Sequence, residues 1–334
     1  MNNLQDSPLV SVIIPNYNYA KYLHERLSSV LEQTYQNMEI ILLDDASSDN
    51  SVSVMEECRS ADLRIREIIR NEKNSGSPFR QWKKGLDMAK GEYIWIAEAD
   101  DLADSKFIES TLELLEKYPS ASMAFTGSVI IDKNGKETDA DMDSWTARQK
   151  SNPDGYKVFH SNDYVRRNLY WYNYVYNASG VLFRRSAYLK VSDTEWAASR
   201  YCGDWRFWTR IAQQGDVIEI YRKLNRFRKH SDSVTVNSLL SDTAFEACMR
   251  ESFGLTSELE DTVGVPCLDK VICHGHYYKL FRNRKINTAT RDRLMTLLSG
   301  KCRHPRLAYH VWRVNKTLSK IFPNMDRMRA ERCV

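Results

Sequence analysis

Glu98, Asp100 and Asp101 stand directly behind the apolar run Tyr93–Ala97. Like charges this close repel, and a divalent cation relieves them. Mg²⁺ and Mn²⁺ prefer oxygen ligands and are often held by one or two carboxylates together with substrate phosphates. The same residues also read as an ordinary acidic turn leading into a helix at Ser105, with Asp104 as its N-cap. Asp44-Asp45 ends a second apolar run, Met38–Leu43, and Pro15-Asn16-Tyr17-Asn18 ends a third, Val10–Ile14. Asp204 opens the segment DWRFWTRIAQQ, where it reads as a helix N-cap. Neither GxGxxG after the first apolar run nor GxxxxGK[ST] occurs. A nucleotide bound here is therefore not cradled by a Gly-rich loop, and a cation on carboxylates is the alternative.

Alternating strands and helices would bring these groups to one edge. Val10–Ile14, Met38–Leu43, Arg64–Ile69, Tyr93–Ala97 and Ala121–Ile131 read as strands. Leu23, Leu27, Val30 and Leu31 repeat at helical spacing, and Ser51–Arg59, Phe79–Lys90 and Ser105–Tyr118 read as helices. Such alternation implies an α/β domain with a largely parallel sheet, whose ligands bind beyond the carboxyl ends of the strands. Residues 139–176 are less regular, with an acidic loop at 139–143 and a cluster of Tyr170, Trp171, Tyr172, Tyr174 and Tyr176. Val181–Phe183 and Val217–Tyr221 read as strands and Asp204–Gln214 as a helix ending at Gly215. After about residue 240 the pattern is helical, at 241–260, 268–283, 288–299 and 305–321.

A chain of 334 residues leads one to expect about two domains and needs no disulfide scaffold. Seven scattered Cys fit a reduced, cytosolic setting, and Met1–Ser7 lacks the features of a secretory leader. No apolar stretch is long enough to span a membrane. The net charge of +4 conceals a split: residues 268–334 carry 16 Lys and Arg against 4 Asp and Glu, leaving the rest of the chain acidic. Leu307, Val311, Val314, Leu318 and Phe322 share one helical face, with Arg306, His310, Arg313, Lys316 and Lys320 elsewhere. A basic amphipathic helix over 305–322 either lies on an anionic membrane or packs on the catalytic domain. Cys267, Cys273, His274, His276, Cys302 and His304 are of metal-ligand type but lack regular zinc-site spacing.

VSVIIPNYNYAKYL, SSVLEQTYQNMEIILLDDASSDNS and AKGEYIWIAEADD, followed by GDWRFWTRIAQQGDVIEIYRKLNRFRKH at 203–230, closely resemble the family 2 glycosyltransferases. The resemblance is strong over 9–130, weak over 135–175 and absent after about 240. It implies the GT-A fold: a Rossmann-like, mixed, mostly parallel sheet flanked by helices, here with a helical C-terminal extension. The expected domains are a catalytic 1–238, with a nucleotide-sugar half 9–131 and an acceptor half 132–238, and a basic, mainly helical 239–334. It further implies an inverting transferase that moves a hexosyl or N-acetylhexosaminyl group from a nucleotide-sugar, a UDP-sugar, to a hydroxyl of a glycan or lipid-linked glycan. The setting implied is bacterial surface-polysaccharide synthesis, such as lipopolysaccharide, in the cytoplasm or peripherally on the inner face of its membrane.

Residue by residue, Pro15 and Tyr17 match the nucleobase loop, and Asp45 or Asp44 the acceptor for the base's N–H. Glu98, Asp100 and Asp101 match the metal and ribose motif, with EADD where many relatives have DxDD. Asp204 matches the catalytic base, and His230 a histidine that assists the Mn²⁺ or Mg²⁺ ion or the diphosphate. Arg80, Lys83 and Lys84 either face the diphosphate or form a solvated helix face. Trp171, Tyr172 and Trp205 stack on acceptor sugars or belong to the core. One rival, a sugar nucleotidyltransferase, normally carries a Gly-rich loop with Arg and Lys where this chain has PNYNYAKYL. The other, a non-catalytic nucleic-acid-binding protein, would use the basic tail; no nucleic acid is expected as a partner.

Overall fold

Three strands are buried along their whole length: Val10–Asn16 (β1), Met38–Asp44 (β2) and Tyr93–Ile96 (β4). This is why they read as continuous apolar runs, as strands covered on both faces do. In the computed structural model, residues 7–143, 145, 147–230, 241–282 and 286–321 are described. The chain divides into two units by its internal contacts. The first comprises Met1–Ser161, Val175–Ala198 and Phe207–His230; the second comprises Asn162–Tyr174, Ser199–Arg206 and Ser231–Val334. Two short segments before residue 238 thus group with the helical end, where the sequence reading drew one boundary.

The first unit holds the sheet. Its remaining strands are Ile65–Arg70 (β3), Leu102–Ala103 (β5), Ala121–Ile131 (β6), Tyr156–Phe159 (β7), Val181–Arg184 (β8) and Asp216–Arg228 (β9). They order as β3-β2-β1-β4-β8-β6-β9-β5, and β7 also pairs with β9. The run β3-β2-β1-β4 is parallel, as is β6 with β9, while β8 lies antiparallel between β4 and β6. Helices Ala20–Leu31 (α1), Ser51–Ala61 (α2), Pro78–Met88 (α3) and Phe107–Lys117 (α4) supply the crossovers. Asp104 does not cap α4: the helix starts at Phe107, and Asp104 Oδ1 accepts from the Lys106 N–H at 2.9 Å.

Two strands run further than their apolar content. β1 continues through Pro15 to Asn16 rather than stopping at Ile14. Ile13 offers its carbonyl to Ala97 N, so Pro15, two residues on, faces the side where β4 has ended and costs no ladder donor. β9 runs thirteen residues to Arg228 rather than stopping at Tyr221. Its second half, RKLNRFR, buries Leu224 and Asn225, exposes Arg226 and then buries Arg228.

In the second unit, helices Asp242–Thr262 (α6), Cys267–Phe281 (α7), Thr288–Lys301 (α8) and Pro305–Ile321 (α9) follow the helical periodicity of the sequence. Helix Gly203–Ala212 is α5. Ser241 caps α6, its Oγ accepting from the Ala244 N–H, and Asn287 caps α8 through Thr290 N–H. Phe322, the last member of the apolar face read from the sequence, lies outside the described residues.

Before β4, the chain passes β1 with no room for a side chain. A Cβ on Gly91 would lie 2.6 Å from Ser11 N and 2.7 Å from the Leu9 carbonyl oxygen. Gly91 N–H donates to Ser11 Oγ, which donates to the buried Glu39 at 2.6 Å. Gly91→Ala is expected to destabilise the fold by about 1–3 kcal/mol through overpacking against backbone. A urea titration would read this as a lowered midpoint at constant slope; an unchanged midpoint would show that the turn can yield.

Candidate active site

The carboxyl edge of β1, β2 and β4 gathers the polar groups of the first unit. The loops after β1 and β2 are tied together: Asn16 Nδ2 donates to Asp44 Oδ1 and to Ser47 Oγ, and Ser47 Oγ accepts from Asn18 N–H. Asn18 and Ala46 have φ of 58° and 61°, and for Ala that region is strained. Asp44 is buried within this knot, accepting from Ser47 N–H, with Arg70 at 3.7 Å. Tyr17, by contrast, is 47 % exposed at the mouth of the two loops.

Asp45 anchors the next loop. Its Oδ1 accepts from Asn71, Ser75 N–H and Gln81, and its Oδ2 from Ser75 Oγ at 2.7 Å. Much of its accepting capacity is thus spent within the protein. Arg80 lies exposed on α3, donating to Ser75 O. Lys83 and Lys84 pair with Asp87 and Asn71.

Beyond β4 the carboxylates crowd. Glu98 Oε1 accepts from Trp82 Nε1 at 2.7 Å, and its N–H donates to Ser179 Oγ. Burial, and then the charge of Asp100, push the Glu98 carboxyl up to about 8. Asp101 is buried and accepts from the Arg228 N–H at 2.9 Å. Burial and Asp100 raise it to about 7. Asp100 Oδ2 meets His230 Nε2 at 2.8 Å. A carboxylate only accepts, so the imidazole donates from Nε2, and its buried Nδ1 has no partner among the described residues. Tyr19 and Tyr22 flank the ring at 5.5 and 5.6 Å.

Two arginines that carried no assigned role answer this charge. Arg228 donates from Nε to the Asp100 carbonyl oxygen and from Nη2 to Glu25, over the face of Tyr22. Arg26 of α1 is fully buried over Trp95 at 4.9 Å, and its three guanidinium nitrogens have no hydrogen-bond partner among the described residues. Burial lowers its pKa to about 10, against the opposing pull of Asp101, Asp100 and Glu98. Arg228 stands two residues before His230, within the matched segment 203–230, a signal present in the sequence. Arg26, within LHERL, reads as a surface position.

Among the described residues no three or more His, Cys, Asp or Glu side chains form a metal cage. A divalent cation would rest on Asp100 with His230 and take its remaining oxygens from a ligand. The Asp100 carboxylate offers the oxygen donors a hard cation takes, and its charge is, after burial, the second cause of the raised Glu98 and Asp101.

Asp204, Trp171, Tyr172 and Trp205 belong to the second unit. Asp204 lies in the first turn of α5, rather than before it, with Oδ1 accepting from Trp205 N–H and Oδ2 from Asn173 Nδ2 at 2.9 Å. Burial raises its carboxyl to about 6. The preceding turn is held by Glu251, which accepts from the N–H groups of Arg200, Tyr201 and Cys202. Trp171 and Trp205 are buried, Trp205 donating to Leu169 O, so neither offers a free ring face to an acceptor sugar; Tyr172 is exposed.

A family model described as Glycosyl transferase family 2 matches residues 11–192. An uncharacterized glycosyltransferase of Haemophilus influenzae is 30% identical over 70% of this chain and 69% of its own. The putative teichuronic acid biosynthesis glycosyltransferase TuaG of Bacillus subtilis is 33% identical over 40% of this chain and 51% of its own. Aligned stretches cover as little as 15% of a relative's length. Among solved structures, S. aureus TarS 1-349 in complex with UDP-GlcNAc superposes over 96% of this chain and 89% of its own, with TM-score 0.56 at 16% identity. Mannosyltransferase PcManGT from Pyrobaculum calidifontis, in complex with GDP-Man and Mn²⁺, covers 98% and 86%, with TM-score 0.54 at 16% identity. At that identity the likeness speaks for the fold.

The crowding has a consequence for stability. The unfolded Glu98 carboxyl releases its proton near 4.5, whereas the folded one holds it to about 8. Folding therefore takes up a proton across that interval, and this residue costs stability progressively as pH rises from about 4.5 to 8. Glu98→Gln keeps an acceptor for Trp82 and removes the cost. Thermal scans in EDTA are expected to show wild type losing ground to the variant over that interval and levelling above it. A pH-independent difference would mean that Glu98 is ionised in the folded protein throughout.

Proposed function

The chain belongs to glycosyl transferase family 2, and from that premise we propose that it is a metal-dependent, inverting transferase. Its fold is the GT-A fold, a mostly parallel sheet with flanking helices and a helical C-terminal region. The proposed reaction carries a hexosyl or N-acetylhexosaminyl group from a UDP-sugar to a hydroxyl of a glycan or lipid-linked glycan, in assembly of a surface polysaccharide. The observation that carries this reading is the crowding of Glu98, Asp100 and Asp101 at the end of β4, on the edge where the loops after β1 and β2 open. The donor class draws support from the UDP-GlcNAc held by TarS and the GDP-Man and Mn²⁺ held by PcManGT, and the polysaccharide setting from TuaG's name.

In this reading Tyr17, with Pro15 behind it, receives the nucleobase at the open mouth of the loops. Asp45 keeps the neighbouring loop in place and Asp44 holds the β1 and β2 loops together. Asp100 and His230 would hold the divalent cation, whose charge offsets that of the leaving diphosphate. Asp204 takes the proton of the acceptor hydroxyl as its oxygen bonds to the anomeric carbon. The bond to the diphosphate breaks, its electron pair leaving with the diphosphate, and the configuration inverts. A carboxyl at about 6 is ionised at neutral pH yet more basic than an ordinary aspartate, which suits a general base.

Asp204→Asn is expected to lower kcat by roughly 10²–10⁴-fold while leaving UDP affinity with Mn²⁺, measured by calorimetry, within about twofold of wild type. In the wild-type protein kcat is expected to fall as pH drops through about 6. Near wild-type turnover in the variant would leave Asp204 as a helix-turn residue only. Binding of GDP in preference to UDP would overturn the assigned donor class.

A further inference from the structure

The rotation of α9 about its axis is set by one close approach. A Cβ on Gly275 of α7 would lie 2.1 Å from the Ala308 carbonyl oxygen and 2.7 Å from Trp312 Cβ. Around this contact Tyr309 packs on Tyr278 at 5.4 Å and stacks on Trp312 at 5.8 Å. Ala308 and Trp312 therefore mark the side of α9 turned to α7. At about 100° per residue, Leu307, Val311, Val314, Leu318 and Ile321 fall together in the neighbouring arc. Leu307, Val314 and Ile321 remain 61%, 58% and 65% exposed. The next arc carries Arg306, Arg313 and Lys320, all exposed. Between Cys302 and Ile321 there are five Lys and Arg and no Asp or Glu.

An aliphatic stripe bordered by cations on a helix of seventeen residues is the pattern of a helix lying in a membrane interface. Its apolar arc enters the acyl boundary while its cations meet the phosphates of anionic headgroups. We propose that the outward face of α9 docks on an anionic lipid bilayer, lying along it. No helix of the described residues is long and apolar enough to cross one. A nucleic acid would engage the cations but leave Leu307, Val314 and Ile321 unused, because its backbone is met by charge. A second copy applying the same face would bring Arg306, Arg313 and Lys320 against like charges. A lipid-linked acceptor would be met at such a surface, but the docking face follows from α9 alone.

Co-sedimentation of the full chain with vesicles tests it. The protein is expected to bind vesicles rich in phosphatidylglycerol, not pure phosphatidylcholine, and to release them as salt screens the headgroups. Removing three charges together, Arg306→Gln with Arg313→Gln and Lys320→Gln, should weaken partition roughly a hundredfold, at about fivefold per charge. Leu307→Ser with Val314→Ser and Ile321→Ser should weaken it without any change of charge. All six side chains are exposed, and unchanged thermal melts would show that both variants fold. The proposal is overturned if wild type ignores anionic vesicles at low salt, or if the serine variant partitions like wild type. It is equally overturned by a dimer that the serine substitutions dissolve, or by duplex DNA outcompeting the vesicles. UDP affinity measured on the same samples reports the transferase reading separately.

Discussion

Burying carboxylates beside one another is the constraint on which the sheet-bearing unit turns. Each buried ion costs several kcal/mol even after relaxation, unless it is paired or shares a proton. Here Glu98 and Asp101 are driven toward their neutral forms, and two arginines are brought in from distant parts of the chain. Arg26 arrives on α1 and settles on the Trp95 ring. Arg228 arrives at the far end of β9 and joins the turn after β4 to α1, through the Asp100 carbonyl, Asp101 and Glu25. The long β9, the packing of α1 and the aromatic floor at Trp95 are thus demands of one electrostatic problem. The charge of Asp100 still acts on both carboxyls, and a cation at this edge would offset it.

This division explains what the sequence discloses. The sheet half β3-β2-β1-β4 is legible because its strands are buried on both faces and write themselves as apolar runs. The acids at their ends are legible because they follow those runs without interruption. β9 is not, because its second half alternates cationic and apolar residues around Asn225, and nothing local says that Arg228 turns inward. Arg26 is hidden for a related reason: Arg on an amphipathic helix ordinarily marks the solvent side, and only tertiary structure places a buried acid beside it. Trp171 and Trp205 show the converse. Their types fit sugar stacking, but side-chain type carries no information on burial, and both lie in the interior of the helical unit.

The helical unit does for Asp204 what the arginines do for the other carboxylates, by different means. No cation is assigned to it among the described residues; Asn173 and the Trp205 N–H supply its hydrogen bonds. Neutral donors stabilise a carboxylate less than an ion pair would, so burial prevails and its proton affinity rises to about 6. The turn before it is set by Glu251 of α6, which collects three backbone N–H groups. Behind it, Tyr170 donates to Glu260 of the same helix at 2.8 Å, and His274 of α7 lies 3.0 Å from that carboxylate. The geometry of Asp204 therefore belongs to α6 and α7, elements with no counterpart in the motif segments.

It follows that the two kinds of acid differ by construction. At the sheet edge burial comes first and the like charge of Asp100 second, and a cation there would favour ionisation by offsetting that charge. At Asp204 burial also comes first, but the like charge of Glu251 comes last among the influences on it. In the proposed reading one carboxyl set would receive a cation, and the other a proton. A protein that needs both a metal and a base near neutral pH must keep these environments chemically distinct. In this chain the distinction is made by drawing the first from strand ends and the second from a helix start anchored by α6.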